Sequence, residues 1–414
     1  MSLAYNIGIA IYAQAVRCVA RFNPKADKLV KGHKLIQSRL EKALASRGDR
    51  KVVWFHAASL GEFEQGRPLM ERLKAERPDT MTVLTFFSPS GYEIRSGYDK
   101  ADVVTYLPFD TPGRVRRFLD TVRPDVAVFI KYEFWANYLY ELRKRGVKAY
   151  LISAIFRPRQ SFFKWWGAGF RRMLRNFTHL YVQDRNSADM LSGIGIENVT
   201  VAGDTRFDRV AKVRQSPCRI PGLDDFASGA ETVFVAGSSW PADEDVYIPW
   251  LHSHPEVKFI IAPHEFNASR LALLLGRLPG DVMLLSQWAK RGYPETVRGI
   301  VVDNFGHLST LYRFGHVAYI GGGFGAGIHN INEAAVYGMP VVFGPKHSKF
   351  KEASDLIECK GGFSITDTAQ FNRVMDYLLN DRSNLKTCGK AAGCYIERNL
   401  GASDRIFNDI LKSL

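Results

Sequence analysis

Two carboxylates stand out for where they fall in the chain. In HAASLGEFEQG (56–66) a strand-like run ends in the small-residue turn Ser59-Leu60-Gly61, and Glu62 opens the helical pattern that follows. The positive end of a helix dipole favours an ionised carboxylate there, and such a base can take a proton from a hydroxyl. Capping the helix is the ordinary alternative for the same residue. In IKYEFWAN (130–137) Glu133 follows a wholly apolar run and is flanked by Lys131, Tyr132 and Trp135. A charge in those surroundings is either paired or functional. AGDTRFDRV (202–210) places Arg206 just past another run. Its planar donor fork suits a phosphate or carboxylate, and an ion pair with Asp204 or Asp208 would use the same donors.

The second half offers ligand-cradling turns rather than carboxylate chemistry. GSSWPADE (237–244) sets Gly237, Ser238 and Ser239 between a strand and a helix, the composition of an anion-binding turn. Ser239 with Asp243 also fits plain helix capping. In YIGGGFGAGIHNINEAAVYGMPVVFGP (319–345) five glycines fall within 321–327, which lets backbone approach a ligand closely. Asn330 and Glu333 follow one helical turn apart, and a carboxylate so placed can accept both hydroxyls of a ribose. The sequence contains no Walker A spacing, no GxGxxG after a first strand and no HExxH. ATPase, NAD-dependent and metal-dependent chemistries therefore lose support.

These residues need elements to hold them. β-branched and aromatic runs at 52–59, 82–88, 103–109, 126–132, 148–153, 180–184 and 199–203 predict seven strands in the first half. Runs at 232–238, 258–264, 282–286, 300–304, 317–323, 340–345 and 362–366 predict seven more. Continuous apolar strands alternating with helical segments predict an α/β fold with two doubly wound parallel sheets, and residues 211–230, rich in Pro, Gly and Asp, predict a linker between them. In such sheets ligands bind outside the carboxyl ends of the strands. His56, Ser59 and Glu62 fall there, as do Glu133, Asp204, Arg206, Ser238, Ser239, His264, Glu265, Asn304 and the run 321–333. Two such domains facing across a cleft form the architecture that many sugar-nucleotide transferases share.

Length and composition agree with two globular domains: 414 residues, 46% apolar and 24% charged. Five scattered cysteines without a CxxC pair argue against a disulfide framework or a structural zinc site. The charge is lopsided. Residues 1–200 hold 33 Lys and Arg against 19 Asp and Glu, whereas 201–414 hold 23 of each. Between Leu142 and Gln183 there are ten basic residues and no acidic one, and FRPRQSFFKWWGAGFRRMLRNF interleaves them with aromatic rings. A one-signed field attracts nucleic acid, anionic lipid or phosphorylated substrate. Without a nucleic-acid motif nearby, a lipid-facing surface is the favoured expectation. Residues before Arg17 are uncharged, but a spanning helix needs roughly 17–25 apolar residues. No small-residue cleavage site follows, and a basic run continues instead. An interfacial anchor and a domain-packing helix both fit that pattern.

The ordered blocks HAASLGE, YEFW, GDTRFD, GSSWPADE, APHE and GGGFGAGIHNINEAAVYGMPVVFGP resemble the family of Kdo transferases, which move 3-deoxy-D-manno-octulosonic acid (Kdo) from CMP-Kdo to a lipid A precursor. The resemblance spans nearly the whole chain. It implies two Rossmann-like domains in the GT-B arrangement, 1–212 with an anchor helix and the acceptor site, and 213–414 with the CMP-Kdo site and a C-terminal helix returning to the first domain. It also implies attachment to the cytoplasmic face of the inner membrane, an anionic membrane surface as partner, no nucleic acid, no metal and no cofactor. The family's general base matches Glu62, its second important glutamate Glu133, and a basic residue that helps the transition state Arg206, where the family usually has Lys. CMP contacts would fall on Pro263, His264, Phe305, Gly306, His307, Asn330, Ile331, Asn332 and Glu333, and the anion turn adds Gly237 and Ser238. The block at His264 departs from the usual Pro-Arg-His form. Two alternatives stay open: a GT-B transferase using another sugar nucleotide, and a non-catalytic basic protein that binds membrane or RNA.

Overall fold

Fourteen strands form among the described residues, and every ladder between them is parallel. The computed structural model describes residues 3–215, 219–304 and 306–414. It divides into two compact units, Met1–Asp208 with Leu400–Leu414, and Arg209–Asn399.

The first unit holds β1 (Val52–Ala57), β2 (Met81–Phe86), β3 (Val103–Tyr106), β4 (Val126–Ile130), β5 (Lys148–Ala154), β6 (His179–Val182) and β7 (Val199–Val201). The second holds β8 (Val233–Ser239), β9 (Lys258–Pro263), β10 (Val282–Leu284), β11 (Gly299–Val301), β12 (Val317–Ile320), β13 (Val341–Phe343) and β14 (Gly362–Ser364). Each starts within one residue of its apolar run in the sequence, and most end one to three residues sooner. The shortfall is physical: polar and glycine residues that close the runs leave the ladder and become the loops at the strand ends.

Strand order is β3-β2-β1-β4-β5-β6-β7 in the first sheet and β10-β11-β9-β8-β12-β13-β14 in the second. In the first, the chain winds outward from β1 to β3, then returns to the other side of β1 and winds the opposite way; in the second it runs from β8 past β9 to the edge strand β10, places β11 between β9 and β10, and then returns to the other side of β8. The return opens a crevice between the carboxyl ends of β1 and β4, and of β8 and β12, and ligands of open α/β sheets bind at such a switch point. The central strands are buried on both faces, β1, β2 and β4 at every residue, which is why their sequences read as continuous apolar runs.

The first unit's helices begin with α1 (Leu3–Val19), α2 (Pro24–Leu44), α3 (Leu60–Glu76), α4 (Pro89–Arg95), α5 (Pro112–Val122) and α6 (Ala136–Lys144). Only Ala13 of α1 is fully buried, with Tyr5 and Val16 packed against the core. No single helix among the described residues is long and apolar enough to cross a membrane; α1 and α2 would qualify only as a pair, and they meet at a bend of 115°. What ties α1 down is polar. Asp110, fully buried, accepts from the Tyr5 hydroxyl at 2.6 Å and from the backbone N–H groups of Asn137 and Tyr138 at 3.0 and 3.1 Å. It thereby caps the first turn of α6 as well, and burial pushes its carboxyl up to about 6.

Residues 211–230 are not the linker that composition predicts. A helix runs over Thr205–Gln215, a second over Leu223–Ser228 buries Leu223 and Phe226, and 216–218 lie outside the described residues. Apolar side chains at positions with helical spacing outweigh the Pro and Gly that flank them. The C-terminal helix Ala402–Leu411 belongs to the first unit. Asp208 accepts from Gly401 and Ser403 N–H at 2.6 and 2.7 Å, and Arg72 lies 4.3 Å over Phe407. The described cysteines Cys18, Cys359, Cys388 and Cys394 are free, and Cys218 lies outside the described residues.

Replacing Asp110 by Ala leaves the Tyr5 hydroxyl and two helix N-terminal N–H groups without their acceptor. Urea unfolding of D110A should show a loss of about 2–4 kcal/mol. A midpoint within error of the parent would mean that α1 and α6 do not depend on this carboxylate.

Candidate active site

Glu62 and Glu133 both lie at the first sheet's switch point, Glu62 in the first turn of α3 after β1 and Glu133 just after β4. Glu133 is 6% exposed, and its Oε2 is held by two ring donors. The Trp135 indole N–H donates to it at 2.6 Å, and His56 Nε2 lies 2.8 Å away. His56 is fully buried inside β1, with its Nδ1 2.9 Å from Thr85 Oγ1. The same ring nitrogen lies 3.1 Å from the Thr85 carbonyl oxygen, and the Trp135 indole N–H also lies 3.0 Å from His56 Nε2, so His56, Trp135 and Glu133 form one network. The charge that the sequence left either paired or functional is thus clamped.

Glu62 is only half-buried. Its Oε2 accepts from the Ala58 N–H at 2.6 Å. Burial first, and the Glu133 charge second, push its carboxyl up from 4.5 to about 7, against the pull of the Ala58 amide and Lys131. A carboxylate balanced near neutrality is suited to accept and release a proton at physiological pH. Lys131, between β4 and Glu133, has φ 66°, a left-handed conformation that costs a non-glycine residue roughly 1–2 kcal/mol. Ser153 and Ser238, near the carboxyl ends of β5 and β8, share it at φ 52° each.

Arg206 is engaged by its own turn. Its Nε and Nη2 donate to Asp204 Oδ2 at 2.8 and 2.6 Å, and Gln65 Nε2 donates to the same carboxylate at 3.2 Å. The ion pair is the arrangement observed for it, and Asp208 is used elsewhere, at the C-terminal helix.

In the second unit the turns after β8, β9 and β12 converge. Asp243, fully buried, accepts from the Trp240 N–H at 3.0 Å, the Gly322 N–H at 2.8 Å and the Tyr319 hydroxyl at 3.0 Å. It locks the GSSW turn to the glycine run. A Cβ on Gly321 would lie 2.2 Å from the Ser238 carbonyl oxygen, so glycine is needed where these two loops touch. His264, exposed beyond Pro263, stacks on Trp240 at 4.5 Å and faces His329 at 4.6 Å. Burial and the neighbouring His264 hold His329 down at about 4. Asn330 donates to Glu333 Oε1 at 3.0 Å and Ser309 to its Oε2 at 2.8 Å. Ile331 and Asn332 are buried behind them, and both amide atoms of Asn332 lack a hydrogen-bond partner among the described residues. His307, with a buried Nδ1 that has no partner among the described residues, and Gly306 precede the short helix Leu308–Leu311 that carries Ser309; Phe305 lies outside the described residues.

Two expectations from the anion turn change. The space a Cβ would need at Gly237 is filled by the Tyr312 hydroxyl, so packing alone accounts for that glycine. The Ser239 hydroxyl points inward, 2.8 Å from Tyr247 Oη, which leaves Ser238 as the outward serine. Sequence reasoning gave His56 and Trp135 no role. Their signal was a histidine inside a strand buried on both faces, and an indole two residues after an isolated glutamate. Among the described residues no group of three potential metal ligands is assembled.

Beside the carboxylate pair lies a cavity of about 1270 Å³ walled by the basic, aromatic tract. Tyr132, Phe134, Phe162, Phe170 and Met173 give it apolar walls, and Arg143, Lys144, Arg159 and Arg172 place cations around them. Trp165, 91% exposed, stands in the same tract, whereas Phe156, Phe162 and Phe177 are core. Arg171 is committed to the loop, donating to the Phe162 and Lys164 carbonyls at 3.1 and 2.9 Å.

A family model for 3-deoxy-D-manno-octulosonic-acid transferase (kdotransferase) matches residues 34–209. The chain is 24% identical over 376 residues to a 3-deoxy-D-manno-octulosonic acid transferase of Rickettsia bellii, covering 88% of each. It is 25% identical over 361 residues to that of Aquifex aeolicus, covering 84% of this chain and 92% of that one. Among solved structures, a UDP-GlcNAc 2-epimerase from Neisseria meningitidis bound to UDP-GlcNAc superposes with a TM-score of 0.61 at 14% identity, over 87% of this chain and all of that one. That likeness speaks to the two-domain Rossmann-like fold.

The raised Glu62 carboxyl has a consequence for stability. The unfolded chain releases this proton near 4.5 and the folded chain near 7, so between those values the folded state binds more protons. Stability therefore falls as pH rises through that window, by up to about 3 kcal/mol. E62Q removes the titration, so its stability should decline less over the same range and should exceed that of the parent above pH 7. Parallel urea-midpoint profiles for the two proteins would show that Glu62 titrates normally.

Proposed function

We propose that this chain is a Kdo transferase that moves Kdo from CMP-Kdo to a lipid A precursor of the lipid IVA type, with Glu62 as general base, a reading supported by its similarity to the kdotransferase family model and to curated Kdo transferases. One observation carries the mechanistic part: a carboxyl held at about 7 at the switch point of the first sheet. Ionised Glu62 takes the proton of the acceptor sugar's hydroxyl. The hydroxyl oxygen forms a bond to the anomeric carbon of Kdo, and the bond from that carbon to the CMP phosphate oxygen breaks, its electron pair leaving with CMP. In-line attack inverts the anomeric centre through an oxocarbenium-like transition state. Glu133, clamped by His56 and Trp135, keeps a negative charge close to Glu62 and so raises its basicity. The departing CMP carries a phosphate monoester, and cationic donors can stabilise it without a metal. The proposal gives Arg206 to that charge, in partnership with Asp204.

Donor recognition falls to the second unit, where the loop pair held by Asp243, with His264, His307, Asn330 and Glu333, presents donors and acceptors suited to phosphate, base and ribose. The acceptor falls to the cavity of the basic tract, whose apolar walls suit acyl chains and whose cations suit the phosphates of a lipid A precursor. The same chemistry suits work at the cytoplasmic face of an anionic inner membrane, with exposed Trp165 and Trp166 at the interface.

Purified protein incubated with CMP-Kdo and lipid IVA, with products weighed by mass spectrometry, tests the reaction. Addition of Kdo mass units with release of CMP is expected. Transfer from UDP-sugars but not from CMP-Kdo would replace this donor with another. In E62Q, turnover should fall by roughly 10²-fold or more with CMP-Kdo affinity nearly intact, and parent turnover should rise with pH through about 7. Near-parent turnover in E62Q would remove Glu62 from the chemistry. Reversing Arg143 and Arg172 to Glu should raise the KM for acceptor at least about tenfold and leave donor KM unchanged. An unchanged acceptor KM would move the acceptor elsewhere.

A further inference from the structure

A second cavity in the first unit, about 510 Å³, shares no lining residue with the acceptor cavity or the carboxylate pair. It is formed where α1, α2 and α5 meet. Four cations line it, Arg17 from α1, Lys34 from α2, and Arg114 and Arg117 from α5, and no carboxylate does. None of the four forms an ion pair among the described residues. Other arginines of this unit do find partners, Arg47 with Asp125, Arg67 with Glu71 and Arg72 with Asp404.

The cations act on one another. Arg114 is half-buried, its guanidinium 5.5 Å over the Phe109 ring, and the charge of Arg17 adds to burial in lowering its pKa. His33, on the same wall, is held down at about 4 by burial and then by Arg114 and Arg17, and its Nε2 is buried without a hydrogen-bond partner among the described residues. Like charges gathered around a partly desolvated space repel, and an anion seated among them turns that repulsion into attraction. Guanidinium forks and an ammonium are the donors that a phosphate uses.

The surroundings identify what brings the anion. Leu3, Ile7 and Ile11 recur every four residues along α1 and are 76%, 50% and 65% exposed, and Phe22, just past its end, is 89% exposed. Arg17 therefore ends a helix whose preceding turns present hydrocarbon to the outside. A phosphate beside hydrocarbon is the chemistry of a membrane phospholipid at its headgroup. We propose that this cavity seats the phosphate of an anionic phospholipid headgroup while the exposed side of α1 lies among the acyl chains at the membrane interface. The inference rests on the membrane surface in the proposed function and not on the transfer chemistry.

The test floats the full chain with vesicles of phosphatidylcholine alone and of phosphatidylcholine mixed with phosphatidylglycerol. Binding to the mixed vesicles should be at least about tenfold tighter, and K34Q/R117Q should remove most of that preference. Both positions are exposed, so this variant should unfold at the parent midpoint. R114Q, which relieves repulsion from Arg17, gives a second variant with the same expected loss. K148Q/R185Q removes the same charge at exposed positions outside the cavity and should keep the preference. Equal losses in both double variants would mean a diffuse charge effect and overturn the site. Equal binding to both vesicle types would overturn it while leaving a membrane surface intact, and binding to neither would remove both. Inorganic phosphate that raises the unfolding midpoint through Lys34 and Arg117, without any vesicle preference, would assign the cavity to a soluble anion and overturn the lipid assignment.

Discussion

The first unit depends on keeping two negative charges near one another, one buried and the other half-buried. Glu62 and Glu133 meet where the chain reverses its direction of winding, between the ends of β1 and β4. Glu133 is compensated by His56 and Trp135, which leave its charge in place. Glu62 has one short backbone donor and the more distant Lys131, which is too little, and the remaining penalty appears as a carboxyl held near neutrality. The left-handed backbone of Lys131 belongs to the same arrangement, since that residue joins the strand to Glu133. Strain and desolvation at this point are carried by the buried strands beneath it, whose side chains are almost wholly withdrawn from water.

The second unit also has a seven-stranded parallel sheet with a switch point, and inverts the chemistry. Its switch point holds glycines, a stacked indole and imidazole, and neutral amides instead of a carboxylate pair. The buried Asp243 there serves structure: three donors satisfy it, and two of them join loops that must touch. Such a surface recognises a ligand through backbone and polar contacts without a strong field of its own, in keeping with the charge balance of residues 201–414. A surplus of cations in the first half, by contrast, surrounds the carboxylate site with groups suited to anionic amphiphiles. In the proposed transfer reaction, this division of labour separates recognition of the nucleotide sugar from activation of the acceptor.

Much of this was legible in the residues. Parallel strands buried on both faces must be continuously apolar, so Val52–Ala57 and Val126–Ile130 announce themselves and place Glu62 and Glu133 at their ends. Asn330 and Glu333 do meet, since three residues span one helical turn. What could not be read depends on side chains that come together from distant parts of the chain. His56 finds Glu133 across 77 positions, and Tyr5 reaches Asp110 across 105. The direction of the Ser239 hydroxyl and the packing of Tyr312 on Gly237 are likewise tertiary facts. Residues 211–230 were misread because Pro and Gly mark turns without saying whether the segment between them packs; here Leu223 and Phe226 pack.

The account stands on the acidity of a single side chain. Carbon-13 NMR of glutamate carboxyls in the full chain, with the Glu62 resonance assigned by its absence from E62Q, measures that acidity directly. Titration of this resonance near pH 7, moving downward when Glu133 is replaced by Gln, is the predicted result. A midpoint near 4.5, unaffected by Glu133, would contradict the account.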